Sequence, residues 1–164
     1  MACGVGSVEV SGVADGGICL ILAIDPGTTE SGWVRFDAGR VVASGVLPNQ
    51  AMLDSVKNGH DTVLAIEMVA GYGMAVGREV FETVRWIGRF QQAWRDPEAV
   101  RLVYRKDVKL HLCGSPRAKD PNVRQALIDL LGPQGKKANP GPTYGVSGHA
   151  WSALAVAVTA EATA

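Results

Sequence analysis

The chain has 164 residues, enough for one domain with a hydrophobic core, and its 16 basic residues balance its 16 acidic residues. This neutral balance means that any surface for nucleic acid must be a local basic patch. Three widely spaced cysteines without a Cys-x-x-Cys pair support neither a zinc site nor a disulfide framework. No apolar stretch approaches the ~20 residues of a membrane span, and we expect a cytoplasmic protein without membrane partners.

The first segment of the chain differs in composition from the rest. Residues 1–17 are rich in Gly, Ser, Ala and Val, and they lack the basic start and continuous apolar core of a signal peptide. We expect a flexible N-terminal extension there, with at most a short edge strand at 8–10. Residues 18–160 are expected to form a single domain.

Short apolar runs predict the strands of this domain. The run at 18–24 lacks polar–apolar alternation, which predicts a strand buried on both faces. Four further runs also predict strands, at residues 32–36, 40–46, 63–66 and 100–104. A turn at 37–39 joins the second and third strands as a hairpin.

Helical spacing and helix-end signals predict helices in the rest of the domain. Helices are predicted at residues 49–58, 78–94, 106–112, 121–131 and 148–159, with loops at 113–120 and 132–145. The 78–94 helix has one wide apolar face. Because a hairpin comes first and strands then alternate with helices, the order is typical of an α/β domain with a mixed sheet flanked by helices.

Two predicted strands each end in a carboxylate. Asp25 is followed at once by Pro26 and Gly27, which force a turn because proline fixes φ and glycine accepts positive φ. Glu67 ends the run at 62–67. A carboxylate at the end of a buried strand is costly to desolvate, and a divalent cation is the usual compensation. Oxygen ligands suit Mg²⁺ or Mn²⁺ rather than zinc. For Asp25 alone, the alternative is a turn-capping role.

The last predicted helix adds a third candidate. His149 lies at its start, and Ser152 follows three residues later on the same helical face. If that face looks toward the ends of the strands with Asp25 and Glu67, His149 is a ligand or a proton-transfer group. The alternative is a histidine that caps the helix or lies on the surface.

Four sequence blocks together resemble the RuvC-type Holliday junction resolvases, especially their phage-encoded members. They read LAIDPGTTESGWV, LAIEMVAGYGMA, SPRAKDPNVRQALIDLLG and HAWSALAVAVTA. The resemblance implies a ribonuclease H-like fold, a homodimer, and two Mg²⁺ (or Mn²⁺) ions per active site. Such a dimer cuts two symmetrically related strands of a four-way DNA junction. Asp25, Glu67 and His149 fall on the family's catalytic and metal-binding positions.

Ser152 departs from the family pattern, which has an aspartate at that position. A serine hydroxyl is a neutral, weak ligand and does not replace the charge of a carboxylate. Three explanations stay open. His149 acts with a bridging water; another acid, Glu82 or Asp120, completes the site; or the chain binds junctions and cuts them poorly. Without a role in the site, Glu82 is interpreted as a solvated charge on a helix and Asp120 as a helix N-cap.

Local basic residues are candidates for contacts with DNA phosphates, which give position and salt dependence but not sequence preference. In the glycine-rich loop, Tyr72 and Met74 are candidates for contact with bases at an opened junction. The alternatives are ordinary surface charge and loop residues that fold back on the core. The basic candidates are Arg78, Arg85, Arg105, Lys106, Arg117, Lys119 and Arg124.

A rival interpretation comes from a different class of protein. The segment from Asp25 to Thr29 also resembles the first phosphate loop of actin-like and sugar-kinase ATPases. Those proteins need a second such loop and a second domain, and this sequence shows neither. A catalytically weakened junction-binding protein is the other alternative, because Ser152 lacks a charge.

Overall fold

The computed structural model describes residues 19–164, so the predicted extension at 1–17 and the strand at 8–10 lie outside the described residues. Five strands form one mixed sheet in the order β3-β2-β1-β4-β5, in which β1 is central. The pairs β1–β2 and β2–β3 are antiparallel, and β1–β4 and β4–β5 are parallel. The strands are β1 (Ile21–Pro26), β2 (Glu30–Asp37), β3 (Arg40–Pro48), β4 (Val63–Met68) and β5 (Arg101–Tyr104).

Within the described residues, five α-helices flank this sheet, which confirms the predicted α/β fold class. They are α1 (Asn49–Asn58), α2 (Arg78–Ala93), α3 (Arg105–Cys113), α4 (Asp120–Leu131) and α5 (Ala150–Ala162). A 3₁₀ turn, Pro97–Ala99, precedes β5. Within residues 19–164, none of the helices combines the length and the apolar character needed to cross a membrane.

The central strand β1 is buried on both faces, as its apolar run predicts. Successive side chains of a strand point to opposite faces. Ile21 and Ala23 therefore pack with α3, α4 and α5, whereas Leu22 and Ile24 pack with α1 and α2. All four are at most 1% exposed. The two faces of the sheet thus carry two separate hydrophobic cores, and β1 contributes to both.

Two local predictions are wrong. The segment at 132–145 is not only a loop, because it contains a small hairpin of β6 (Gly135–Lys136) and β7 (Asn139–Pro140). Gly135 allows this hairpin by adopting a positive φ of 69°, which other residues rarely adopt.

Asp120 is also not the N-cap that the sequence predicts. Asp120 is the first residue of α4, and Lys119 occupies the N-cap position. The side chain of Asn122 accepts a hydrogen bond from the Lys119 backbone N–H at 3.0 Å. Because Asn122 serves the start of the helix, the Asp120 carboxylate is available for other partners.

A buried polar network fixes the turn that follows β1. Asn49, at the start of α1, donates its side-chain amide to the Gly27 carbonyl at 3.0 Å. The Ser31 hydroxyl donates to Asn49 Oδ1 at 2.6 Å, and the Asn49 backbone N–H donates to the Thr29 carbonyl at 2.9 Å. Both Asn49 and Ser31 are 1% exposed. The turn next to Asp25 is therefore held by hydrogen bonds to Asn49, a side chain shielded from water.

We predict that Asn49→Ala destabilises the protein by about 1–3 kcal/mol, because it leaves the buried Ser31 hydroxyl and Gly27 carbonyl without this partner. Urea unfolding measures the change. Gln50→Ala is the matched control, since Gln50 is exposed in the same helix and makes one long bond, 3.4 Å, to Asp54. A loss for Asn49→Ala no larger than that of the control would contradict this role of the network.

Candidate active site

Asp25 and Glu67 reach the same face of the sheet by strand alternation. Asp25 follows Ile21 and Ala23 on the face that α5 covers, and Glu67 follows Ala65 on that face of β4. The parallel register of β1 and β4 runs to the pair Ile24–Ile66, one residue before the two acids. The ends of the two strands that carry these acids therefore lie side by side.

A close approach of two backbones brings His149 to this edge. Asp25 pairs with Gly32 of β2, and the residue before α5, His149, passes directly over Gly32. A Cβ on Gly32 would lie 2.4 Å from the His149 carbonyl, so no larger residue fits without a shift. With glycine there, His149 Nδ1 lies 3.2 Å from Asp25 Oδ2.

Ser152 lies at the same edge of the sheet as His149, one helical turn later in the chain. It lines the cleft together with Glu67 and His149. It also lies near enough to Asp25 to oppose, in small part, the rise that burial causes in the pKa of that carboxyl. The predicted helical face of His149 and Ser152 therefore does look toward the acidic strand ends.

Arg105 is the principal feature of the site that the sequence did not place there. Its Nη1 donates to Glu67 Oε1 at 3.1 Å, and its Nη2 donates to Asp120 Oδ1 at 2.5 Å. Lys109, one turn further along α3, places its Nζ 3.9 Å from the same Asp120 oxygen. The two carboxylates on either side of Arg105 are thus joined by a guanidinium group.

Burial governs the protonation of both strand-end acids. The Glu67 side chain is 8% exposed, and burial, reinforced by the nearby charge of Asp25, raises its pKa to about 7, against the opposing effect of Arg105. Burial also raises the pKa of Asp25. His149 opposes that rise most, followed by Arg105 and the Ser152 hydroxyl. Each acid is therefore hard to ionise without a nearby cation.

Glu67, His149 and Ser152 line a cleft of about 490 Å³ between α3, α4 and α5. Besides the acids, its walls carry the basic residues Arg105, Lys109 and Arg124. The Arg124 guanidinium stacks over the Trp151 ring, with its Cζ 4.8 Å from the ring centroid. The cleft is therefore lined by both carboxylates and basic side chains.

Other predicted site residues lie elsewhere. Glu82 is on α2, where it pairs with Arg85 at 3.2 Å, and it does not line the cleft. Tyr72 and Met74 are 58% and 74% exposed in the loop between β4 and α2. The remaining basic candidates are exposed outside the cleft walls, namely Arg78, Lys106, Arg117 and Lys119.

The carboxylate oxygens of this site suit a hard divalent cation, but the acids do not converge on one point. Over the part of the chain that the structure describes, no three His, Cys, Asp or Glu side chains converge closely enough to hold a metal ion. Asp25 and His149 are in contact, whereas Glu67 is engaged by Arg105. Two buried carboxylates that disfavour each other's charge would still be stabilised by a bound cation.

We predict that Glu67→Gln changes the pH dependence of stability in the absence of metal. Between the unfolded value of 4.5 and about 7, folded Glu67 holds its proton while the unfolded chain releases it. Stability therefore falls as the pH rises through this window. Glu67→Gln should reduce that fall by on the order of 1–3 kcal/mol.

Urea unfolding with EDTA at a series of pH values measures this dependence. Glu79→Gln serves as the control, because Glu79 is exposed in the first turn of α2. Parallel stability curves for Glu67→Gln and the wild type would contradict the raised pKa.

Comparison with solved structures shows a clear likeness. No protein-family profile matches the sequence, and no curated protein matches it either. A structure of Thermus thermophilus RuvC matches with a TM-score of 0.60 and 19% identity, covering 85% of this chain and 92% of that chain. T. thermophilus RuvC in complex with Holliday junction substrate matches with a TM-score of 0.62 and 21% identity, covering 86% and 92%. The chain therefore has the RuvC-type, ribonuclease H-like fold.

Proposed function

We propose that this protein is a structure-selective endonuclease that resolves four-way (Holliday) junctions by metal-dependent hydrolysis of phosphodiester bonds. The observation that carries the proposal is that His149, which lines the cleft with Glu67, lies 3.2 Å from Asp25, whose charge acts on Glu67, in a RuvC-type fold. The likeness to a RuvC bound to a Holliday junction supports the choice of substrate. That likeness, which extends over most of the chain, favours the nuclease over the actin-like or sugar-kinase alternative.

The residues of the site divide the chemistry between them. Asp25, Glu67 and His149 would hold Mg²⁺ or Mn²⁺, which when bound activates water and stabilises the leaving oxygen. His149 presents an imidazole whose side chain is 66% exposed, next to Asp25. An imidazole in that position can orient the attacking water or accept its proton. The buried sheet edge keeps the acids fixed while this happens.

The surroundings of the cleft suit a DNA backbone. Arg105, Lys109 and Arg124 are within the cleft walls and would contact phosphates next to the cleavage position. The exposed basic residues on α2, on α3 and just before α4 would extend this contact over the arms of the junction. Tyr72 and Met74 lie on the loop that directly follows the strand carrying Glu67, where they could meet bases at the opened centre.

Two observations favour the alternative of a catalytically weakened junction-binding protein. Ser152 brings no charge, and Glu67 is already engaged by Arg105. A nuclease and a binding protein of this kind would both bind junctions, but only the nuclease would nick them when a divalent metal is added.

We predict that Asp25→Asn lowers cleavage of a synthetic four-way junction to below about a tenth of the wild-type rate and leaves junction binding intact. The amide keeps the size of the carboxylate but removes the charge that a cation needs. Strand-specific labels report cleavage with Mg²⁺ or Mn²⁺, and gel shifts in EDTA report binding. Asp54→Asn, on the exposed side of α1, is the control that retains cleavage. Cleavage by Asp25→Asn above that level would refute the assignment.

The proposed reaction needs two sites facing one junction, and α2 offers a surface for a two-fold dimer. Its predicted wide apolar face is only partly covered, because Thr83, Ile87 and Phe90 are buried while Phe81 is 60% exposed and Val84 37%. Exposed apolar side chains on one helix are suited to contact with a second copy.

We predict a homodimer that Phe81→Glu dissociates, because a charge at this interface would be desolvated. Analytical ultracentrifugation at micromolar concentration, with and without junction DNA, measures the change. Val42→Glu is the matched control, since Val42 is 58% exposed on the edge strand β3 rather than on α2. A wild-type monomer in the presence of junction would contradict the dimer.

A further inference from the structure

The positively charged side chain of Arg105 lies between two carboxylates of the cleft. The Arg105 guanidinium bonds Glu67 through one nitrogen and Asp120 through the other. A guanidinium is not deprotonated in proteins, so this positive charge is permanent. In a two-metal nuclease, ions about 4 Å apart are bound by such carboxylates. Here an arginine occupies carboxylate oxygens that a second ion would use.

The fold delivers Arg105 to this point through its backbone. Tyr104, the last residue of β5, pairs with Met68 of β4, the residue after Glu67. Helix α3 begins at the next residue, Arg105, so its side chain starts beside the Glu67 carboxylate. The Arg105 side chain is 42% exposed, which leaves part of it open to the cleft. Its position is therefore set by sheet register and not by a flexible loop.

The fixed charges of the site leave little to attract a second divalent ion. Three carboxylates face three basic side chains, so these charges cancel when all are ionised. Ser152, at the position where a further carboxylate is expected, adds no charge. A second divalent ion would therefore lie next to the Arg105 guanidinium with no free carboxylate to offset the repulsion. The six groups are Asp25, Glu67, Asp120, Arg105, Lys109 and Arg124.

We infer that the Arg105 guanidinium is a built-in cation that takes the place of one of two metal ions, so that this site binds a single divalent ion. The inference deepens the proposed function and rests on it, because it assumes that the acids serve a metal. Asp25 and His149 would hold the one ion, and Arg105, anchored by Asp120, would provide the second positive charge beside Glu67.

The test counts Mn²⁺ ions bound in the absence of DNA, by isothermal titration calorimetry and by electron paramagnetic resonance of the free ion. The wild type should bind one Mn²⁺ per chain, and Asp25→Asn should lose it. Arg105→Gln should gain a second ion or bind the first at least tenfold more tightly, since it frees Glu67 and Asp120 and removes a repelling charge. Arg105→Lys keeps the charge and should still bind one.

Arg40→Gln controls for the loss of one positive charge. Arg40 is exposed at the start of β3, at the end of the sheet opposite Asp25, and should leave both the number and the affinity of bound ions unchanged. Two ions of similar affinity in the wild type would overturn the inference. So would an Arg105→Gln variant that binds Mn²⁺ as the wild type does. If Arg105→Gln does not fold, the wild-type count still decides.

Junction cleavage on the same samples separates this inference from the proposed function. Cleavage by a wild type that binds two ions refutes the built-in cation and leaves the nuclease standing. One bound ion in the wild type and a second in Arg105→Gln, without cleavage, supports the built-in cation and refutes the nuclease.

Discussion

The ionisation of two carboxylates at one buried sheet edge is the constraint on which the rest of this site depends. Asp25 and Glu67 come from adjacent parallel strands and face the same helix, so neither can take on charge without affecting the other. Water is largely excluded from Glu67, and ordinary hydration cannot offset its charge. The surrounding groups are those that can: an imidazole beside one acid and a guanidinium on the other.

This arrangement depends on backbone packing at least as much as on side-chain chemistry. Gly32 lets the start of α5 lie against β2, and the buried Asn49 network holds the turn after Asp25. Both features leave little freedom for Asp25 and His149 to move relative to each other. A site held in this way requires little reorganisation when a substrate arrives, which is the condition under which fixed charges contribute most to catalysis.

The sequence predicts the parts of the fold and of the site that depend on local signals. Apolar runs ending in Asp25 and Glu67 identify two central strands because burial on both faces removes alternation, and the Ala-rich segment after His149 identifies α5. Asp120 is one of the two acids that the sequence offers to complete the site, and Arg105 is a candidate phosphate contact, but no local signal pairs either of them with Glu67. Their roles depend on how α3 packs beside α4, which brings together residues 15 positions apart, and an isolated arginine before a helix looks like any surface charge.

The same limitation explains the other differences. A Gly- and Pro-rich stretch predicts a loop, and the hairpin within it depends on pairing between residues at its two ends. The apolar face of α2 is visible in its spacing, but spacing does not tell which of its members reach the core and which, such as Phe81, remain outside.

A positive charge supplied by Arg105 has a consequence for how the site would respond to its surroundings. A metal ion leaves when its concentration falls, whereas an arginine is present in every copy of the chain. A site with one exchangeable cation would follow the first power of the free magnesium concentration, and a site with two would follow a steeper law when both bind weakly. The arginine between Glu67 and Asp120 would therefore make occupancy of the site less sensitive to a shortage of magnesium.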